Sequence, residues 1–160
     1  ASVNATEERE KSELMYARLN QGQKHIFDEL TRQLELHNAS TNLYFINADA
    51  GTGKTFLLNA ILSCVRGQGN IALATASSGS ATTVLTRSRT VHKRFACGIN
   101  VQHQEHPSCN ISRSSPTARL IAAAKIIIID EATLLHRKVY EALDLTQYSP
   151  LHALAQLPQE

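Results

Sequence analysis

The sequence lacks a long hydrophobic run and a secretion signal. No apolar stretch approaches the ~20 residues with which a helix crosses a bilayer, so we expect no membrane-spanning helix. The N-terminal stretch ASVNATEERE has no basic segment followed by an apolar one, as a signal peptide would have. The first residue is not methionine, and on this ground we expect the chain to be a fragment of a longer protein.

Cysteine is scarce and the net charge is small. The cysteines are Cys64, Cys97 and Cys109, an odd count at wide spacing, which argues against a disulfide framework and for a reducing compartment. A formal net charge of +2 does not indicate a nucleic-acid partner by itself. Basic residues are clustered, however, in a stretch without acids that contains Arg87, Arg89, Lys93 and Arg94.

Hydrophobic patterning predicts an α/β protein. At 160 residues, with 42% hydrophobic residues, the chain suits one domain with one core. Three apolar stretches, Leu43–Ala48, Ile71–Ala76 and Lys125–Asp130, predict buried strands. Apolar residues at three- and four-residue steps predict helices at Asn20–His37 and Lys54–Arg66. This alternation is typical of a parallel sheet covered on both faces, and together with the motif at residues 48–55 described below it predicts a P-loop NTPase core of the RecA-like kind.

Shorter elements complete this prediction. Helices are predicted at residues 79–85, 117–124 and 132–145, and residues 97–116 form a long connection rich in loop formers. The charged residues 1–18 are predicted to be an N-terminal extension, either a frayed helix or the remnant of a preceding domain.

The stretch ADAGTGKT at residues 48–55 lies between a predicted strand and a predicted helix. It fits the phosphate-binding pattern G-x-x-x-x-G-K-[ST] except at the first position, where Ala48 replaces glycine. Successive backbone N–H groups in such a loop form a concave anion site at the positive end of a helix. Lys54 is predicted to reach the β- and γ-phosphates of a nucleotide, and the Thr55 hydroxyl to ligate Mg²⁺. The alternative, a glycine-rich turn without function, is disfavoured by the position of the motif.

An acidic pair, Asp130 and Glu131, ends the last predicted strand. Alone, such a pair is more often a strand end that meets solvent. Beside a phosphate loop, Asp130 is predicted to lie near the Mg²⁺ ion, and Glu131 to polarise an attacking water. We therefore predict binding and hydrolysis of a nucleoside triphosphate, with Lys54, Asp130 and Glu131 as catalytic residues and Thr55 and Asp130 as metal ligands.

Five ordered motifs resemble those of the Pif-one-type DNA helicases of superfamily one, particularly the helicase segment of Helitron-type transposons. They are LNQGQ at 19–23, GTGKTFL at 51–57, ASSGSA at 76–81, TVHKRF at 90–95 and IIDEA at 128–132, followed by YEALD at 140–144. The likeness covers roughly residues 19–147, which would form one RecA-like ATPase lobe. Residues 148–160 match nothing and stay unassigned.

The resemblance implies roles for particular residues. Gln23 would read adenine, for which its amide has both a donor and an acceptor. The nucleotide would also be held by Gly51, Thr52, Gly53, Lys54 and Thr55. Single-stranded DNA or a duplex junction would be bound by Ser77, Ser78, His92 and Phe95, with the basic cluster on phosphates. The alternatives are a core or capping role for His92 and Phe95 and a solvated face for the basic cluster.

The resemblance also implies a function for the whole chain. It implies an ATP-dependent DNA helicase with ATP and Mg²⁺ as cofactors, without a membrane partner. It further implies a nuclear location and a part in DNA repair, recombination and telomere maintenance. The remainder of a larger helicase chain is a further implied partner.

Some positions depart from the family pattern. Asp49 and Ala50 stand where the family usually has Pro and Gly, and Ser80 and Thr82 replace a more usual Ile and Ala. No match follows to a second RecA-like lobe or to an arginine that stabilises the transferring phosphate. We therefore expect a single truncated lobe that by itself hydrolyses ATP slowly and does not unwind DNA.

The residues alone leave other functions and one metal site as alternatives. The loop departures favour a catalytically impaired nucleotide-binding module or a decayed transposon helicase without unwinding activity. A small P-loop kinase is disfavoured, since residues 97–116 contain one arginine, Arg113, and a kinase lid is rich in arginine. Zinc-ligand types occur at Cys97, His103, His106 and Cys109, but no paired C-x-x-C motif anchors them, which disfavours zinc.

Overall fold

The computed structural model describes residues 4–36, 44–47, 49 and 51–145, with the backbone alone at 144 and 145. Its helices are α1 Ala5–Arg18, α2 Gln21–Glu35, α3 Lys54–Gly67, α4 Val91–Arg94, α5 Pro116–Ala122 and α6 Arg137–Leu145. Its strands are β1 Ile71–Ala76, β2 Arg89–Thr90 and β3 Ala124–Asp130. Short 3-10 turns lie at Ala81–Thr83, Val101–His103 and Ala132–Leu134. No helix in these ranges is long and apolar enough to span a membrane.

The described strands form a parallel sheet in the order β2-β1-β3. The register sets Ala76 opposite Asp130 on one side of β1 and opposite Thr90 on the other. All carboxyl ends therefore lie at one edge of the sheet, where the connecting turns can bring polar side chains together. The predicted α/β class is confirmed.

Both faces of the sheet are covered. Alternate residues of a strand point to opposite faces, so neighbours join different cores. Ala72, Ala74 and Ile128 pack in a first cluster with apolar residues of α2 and α3, and Met15 and Tyr16 of α1 lie against it. Leu73 packs in a second cluster with residues of α4, α5 and α6, against which Ile127 and Ile129 lie. The helical layers thus hold the sheet between them, as the apolar strands predict.

The predicted strand at Leu43–Ala48 is wrong for the residues that the structure describes. Residues 44–47 take no strand conformation, and the Phe45 side chain is 57% exposed. Leu43 and Ala48 lie outside the described residues. Residues with high strand propensity form strands where they can pack on a half-buried sheet. In the described residues no strand lies beside residues 44–47 to provide such a sheet. The third strand of the sheet is instead β2, whose two residues are too few to show any periodicity.

The N-terminal extension is part of the fold. α1 is capped by the Asn4 side chain, which accepts from the Thr6 N–H, and it packs along α3. The Ser12 hydroxyl lies 3.5 Å from the carbonyl oxygen of Ala60, and the Arg9 guanidinium donates to the carbonyl of Gly67 over 3.3 Å. Residues 5–18 are therefore a helix that packs on α3 instead of fraying, and the assignment of residues 1–18 as an extension stays a prediction. The apolar pattern of α1 is too weak to predict this packing, because the α1–α3 interface is made partly of polar groups.

Two predicted helices are shorter than the pattern indicates. The segment 132–145 is a 3-10 turn, then an extended Leu135, then α6. The His136 ring nitrogen Nδ1 accepts from the Lys138 N–H over 3.2 Å. This side chain therefore caps the start of α6, which begins separately from the 3-10 turn. The segment 79–85 contains only the 3-10 turn Ala81–Thr83. Local hydrogen bonds from Thr82 and Thr83 side chains to carbonyls of the same turn compete there with helix formation.

The connection between α4 and α5 is closed by a disulfide between Cys97 and Cys109. These residues also form an isolated antiparallel bridge, and the Asn110 N–H donates to the Ala96 carbonyl over 3.1 Å. The expectation of a chain without disulfides, drawn from the odd number of cysteines, is therefore wrong for this pair, because spacing along the chain does not reveal that this loop returns on itself. In the described part of the chain no three His, Cys, Asp or Glu residues gather as metal ligands, so His103 and His106 do not join the two bonded cysteines in a ligand group.

The disulfide predicts a thiol count. Cys64 is the free cysteine of the described residues, so denatured, unreduced protein should expose one titratable thiol per chain, and three after reduction. The measurement is labelling with a thiol reagent followed by mass spectrometry. Cys109→Ser is the matched control, with two thiols before and after reduction. Three thiols in the unreduced wild type would contradict the pairing.

Gly67 predicts a second effect, on stability. A Cβ at this position would lie 2.8 Å from the backbone nitrogen of Arg9 and 2.9 Å from its Cα, so α1 and α3 would have to separate. Gly67→Ala should lower the free energy of unfolding by about 1–3 kcal/mol, despite alanine's higher helix propensity. Gly79→Ala is the control, because a Cβ there meets no atom within 4 Å. Equal midpoints of urea unfolding for the two variants would argue against the α1–α3 packing.

Candidate functional site

The phosphate-loop motif forms a tight turn at the start of α3. Gly51 and Gly53 both have φ near 80°, the left-handed region that favours glycine. The Thr52 hydroxyl donates to the Asp49 carbonyl over 2.8 Å, which closes the turn. Gly53 is the N-cap of α3 and supplies no side-chain cap, so the first N–H groups of this helix have no capping side chain. Ala48 and Ala50 lie outside the described residues.

Lys54, Thr55 and Asp130 meet beside this turn. The Lys54 ammonium lies 3.8 Å from one carboxylate oxygen of Asp130, and the Thr55 hydroxyl lies 3.4 Å from the other. Asp130 is 4% exposed, whereas the Lys54 side chain is 33% exposed. A hydroxyl and a carboxylate are oxygen ligands of the type that Mg²⁺ takes when phosphates and water complete its coordination. This donor set fits Mg²⁺ held with a nucleotide.

Glu131 follows directly, in a strained conformation. Its φ and ψ are 52° and 40°, the left-handed region, which is unusual for a residue with a side chain. Its N–H donates to the Asp130 carboxylate over 2.9 Å, and its own carboxylate accepts from the Ser77 hydroxyl over 3.2 Å. The structure therefore joins the acidic pair at the end of β3 to the turn at the end of β1.

Gln23 lies against the phosphate loop from the other side. Its side-chain oxygen accepts from the Asn20 N–H in the capping box of α2, and its side-chain nitrogen donates to the carbonyls of Thr52 and Gly53 over 3.1 and 3.3 Å. In a trans peptide the C=O and N–H groups point in opposite directions. Holding these two carbonyls therefore turns the N–H groups of Gly53 and Lys54 away from Gln23. The role of Gln23 in adenine recognition stays a prediction.

The residues predicted to bind DNA divide into two groups. Ser77 and Ser78 lie in the turn after β1, where the Ser78 oxygen accepts from the Ala81 N–H over 3.3 Å. His92 is half-buried on α4. Phe95 is fully buried in the second cluster, so the prediction that it stacks on a base is wrong and its core alternative is correct. In sequence, an aromatic residue next to basic ones fits either a base-stacking residue or a core residue, and only the packing in the fold distinguishes the two.

The basic cluster is partly a structural network. The Arg94 guanidinium donates to the carbonyls of Ala74 and Arg87, both over 3.4 Å. Burial, then the positive charges of Arg89 and Arg66, lower the pKa of Arg94. Arg66 is buried beneath and donates to the carbonyls of Ala72 and Thr86. Arg87, Arg89 and Lys93 are exposed, and they are the members of the cluster that a phosphate can reach.

Tyr140 is a residue of the site region whose role the motif does not reveal. Its hydroxyl donates to the carbonyl of Ala132 over 2.6 Å, which ties α6 to the turn that carries Glu131. Burial raises the pKa of Tyr140 from 10.0 to about 12. The motif YEALD marked the position, but only the fold shows which carbonyl it holds.

Tyr140 predicts a pH-dependent contribution to stability. Tyr140→Phe removes the hydrogen bond and should lower the free energy of unfolding by about 1 kcal/mol at neutral pH. Because the folded-state pKa is the higher one, this contribution is complete below pH 10 and is lost as the pH rises toward 12. The difference between the melting temperatures of the wild type and Tyr140→Phe should therefore become smaller as the pH rises from 10 to 12. Tyr44→Phe, at a position 43% exposed, is the control, and an unchanged difference up to pH 12 would refute the prediction.

Known proteins similar to this chain are helicases. The family model described as PIF1-like helicase matches residues 18–154. An ATP-dependent DNA helicase PIF4 of Trypanosoma brucei brucei (strain 927/4 GUTat10.1) is 30% identical over 116 residues, 71% of this chain and 14% of that protein. An ATP-dependent DNA helicase Pif1 of Psychrobacter sp. (strain PRwf-1) is 32% identical over 94 residues, 59% of this chain and 14% of that protein. The aligned parts of the chain thus span 14% of the length of each of these relatives.

Proposed function

The chain belongs to the PIF1-like helicase family, and on that premise we propose that it is the ATP-binding lobe of an ATP-dependent DNA helicase. The observation that carries this proposal is the meeting of Lys54, Thr55 and Asp130 beside the glycine turn. Residues from the start of α3 and the end of β3 supply a cation for phosphate and two oxygen ligands for Mg²⁺. Duplex unwinding is proposed for the longer protein of which this lobe would be a part.

Each residue of the site has a proposed task in ATP hydrolysis. Lys54 exchanges its contact with Asp130 for the β- and γ-phosphate oxygens, and the N–H groups at the start of α3 hold the phosphates. Thr55 and Asp130 would hold Mg²⁺, which would supply positive charge to neutralise the charge that develops on the phosphates. Glu131 orients and polarises the attacking water.

The DNA partner is proposed to meet the same edge of the sheet. Ser77 and Ser78 follow β1, and His92 lies on α4 just after β2, so all three come from the carboxyl ends of neighbouring strands. The exposed basic side chains of Arg87, Arg89 and Lys93 would meet phosphates of single-stranded DNA. A nuclear location and a part in DNA repair, recombination or telomere maintenance belong to this proposal through the family alone.

The proposal predicts nucleotide-dependent stability and DNA-stimulated turnover. ATP with Mg²⁺ at about 100 times its dissociation constant should raise the stability by about 2.7 kcal/mol, seen as a higher melting temperature. Lys54→Ala should lose this shift and the ATPase activity. Lys125→Ala is the matched control, since it removes a lysine from the opposite end of β3.

The outcomes of this experiment separate the candidate functions. ATPase activity that rises with single-stranded DNA supports the helicase lobe. A thermal shift without turnover supports the nucleotide-binding module instead. If the wild type shows no shift, or Lys54→Ala shifts as much as the wild type, the nucleotide site is refuted.

A further inference from the structure

A side-chain hydrogen bond joins the residue that follows β1 to the residue that follows β3. Ala76 and Asp130 are partners in the parallel register, so the residues that follow them, Ser77 and Glu131, emerge side by side. The Ser77 hydroxyl donates to Glu131 Oε2 over 3.2 Å, in a partly buried position. In the described part of the chain, Ser77 is the hydrogen-bond donor recorded for the Glu131 carboxylate.

The backbone of Glu131 is fixed, but the orientation of its carboxylate depends on the hydrogen bond with Ser77. Glu131 is fixed in the left-handed region, and its N–H is held by Asp130 Oδ1. No ion pair to a lysine or arginine is recorded for Glu131 in the described residues. The hydroxyl of Ser77 therefore decides where the carboxylate points and occupies one of its oxygens.

A serine hydroxyl has a single hydrogen to donate. Ser77 can give it to Glu131 or to a phosphate oxygen of DNA, but not to both. In the proposed function, Glu131 orients the attacking water and the turn after β1 faces the DNA. The two tasks thus compete for one hydrogen.

Resting on the proposed function, we propose that Ser77 is a positioning residue that couples DNA binding to ATP hydrolysis. Without DNA, Ser77 holds the Glu131 carboxylate toward β1. A DNA phosphate oxygen accepts the hydrogen bond from the Ser77 hydroxyl in place of Glu131, and the freed carboxylate then accepts a hydrogen bond from the attacking water. The coupling uses one hydrogen bond between neighbouring strand ends and requires no movement of the sheet.

The kinetic test compares ATPase rates with and without single-stranded DNA. Ser77→Ala should raise the DNA-free rate about five- to tenfold, the range of an ordinary hydrogen bond, and bring the ratio of stimulated to unstimulated rate near 1. Ser77→Thr keeps a hydroxyl and should restore the ratio. Ser80→Ala is the matched control, because Ser80 lies in the same turn and contacts Ser78 instead of Glu131. Equal losses of both rates, with an unchanged ratio, would show a merely structural role and overturn the proposal.

A second test needs no nucleotide. Glu131→Ala removes the competing acceptor, so it should tighten binding of single-stranded DNA about threefold more when residue 77 is serine than in the Ser77→Ala background. Fluorescence anisotropy of a labelled oligonucleotide measures the four affinities of this cycle. Additive effects would overturn the competition. If the wild type shows no DNA-stimulated turnover, the proposed function fails, and the cycle still decides whether the two groups compete for the hydroxyl.

Discussion

The buried carboxylate of Asp130 is the group on which the rest of the site depends. A carboxylate that is 4% exposed is costly unless donors surround it. Its neighbours are the Lys54 ammonium, the Thr55 hydroxyl and the N–H of Glu131. Two of these belong to the first turn of α3, so the phosphate loop and the end of β3 must stay adjacent for the charge to remain buried. On the proposed function a metal-bound triphosphate would meet the same side chains, so the pairing would be a functional constraint as well as a structural one.

The parallel sheet is what delivers these groups to one place. Because its described strands run in the same direction, the residues after β1, β2 and β3 all leave at one edge. Alternation along β1 and β3 fixes both faces in separate helical layers, which prevents a shift of register by one residue. The packing of the apolar strand residues therefore determines where the side chains at this edge of the sheet lie.

Much of this fold could be predicted from the sequence, and the predictions that were wrong have identifiable physical reasons. α3, β1 and β3 were predictable because each is an apolar run bounded by glycine or charge, and the motif at 51–55 locates the site. The strand expected at Leu43–Ala48 fails because strand propensity does not say whether a neighbour is present. The pairing of Cys97 with Cys109, the burial of Phe95 and the packing of α1 on α3 depend on chain paths that only the folded structure reveals.

The phosphate loop is held from two sides by different chemistry, and this division matters for how the lobe works. Asp130 holds the side chains of Lys54 and Thr55, whereas Gln23 holds the carbonyls of Thr52 and Gly53. On the proposed function, a bound nucleotide would draw the Lys54 ammonium from Asp130 to the phosphates, whereas Gln23 would still hold the two carbonyls and so orient the N–H groups of Gly53 and Lys54. Gln23 is itself fixed by the capping box of α2, and α2 packs against the first cluster. The backbone at Thr52 and Gly53 is therefore held by contacts that lead back to the core, and on the proposed function the side chain of Lys54 would rearrange when a phosphate binds.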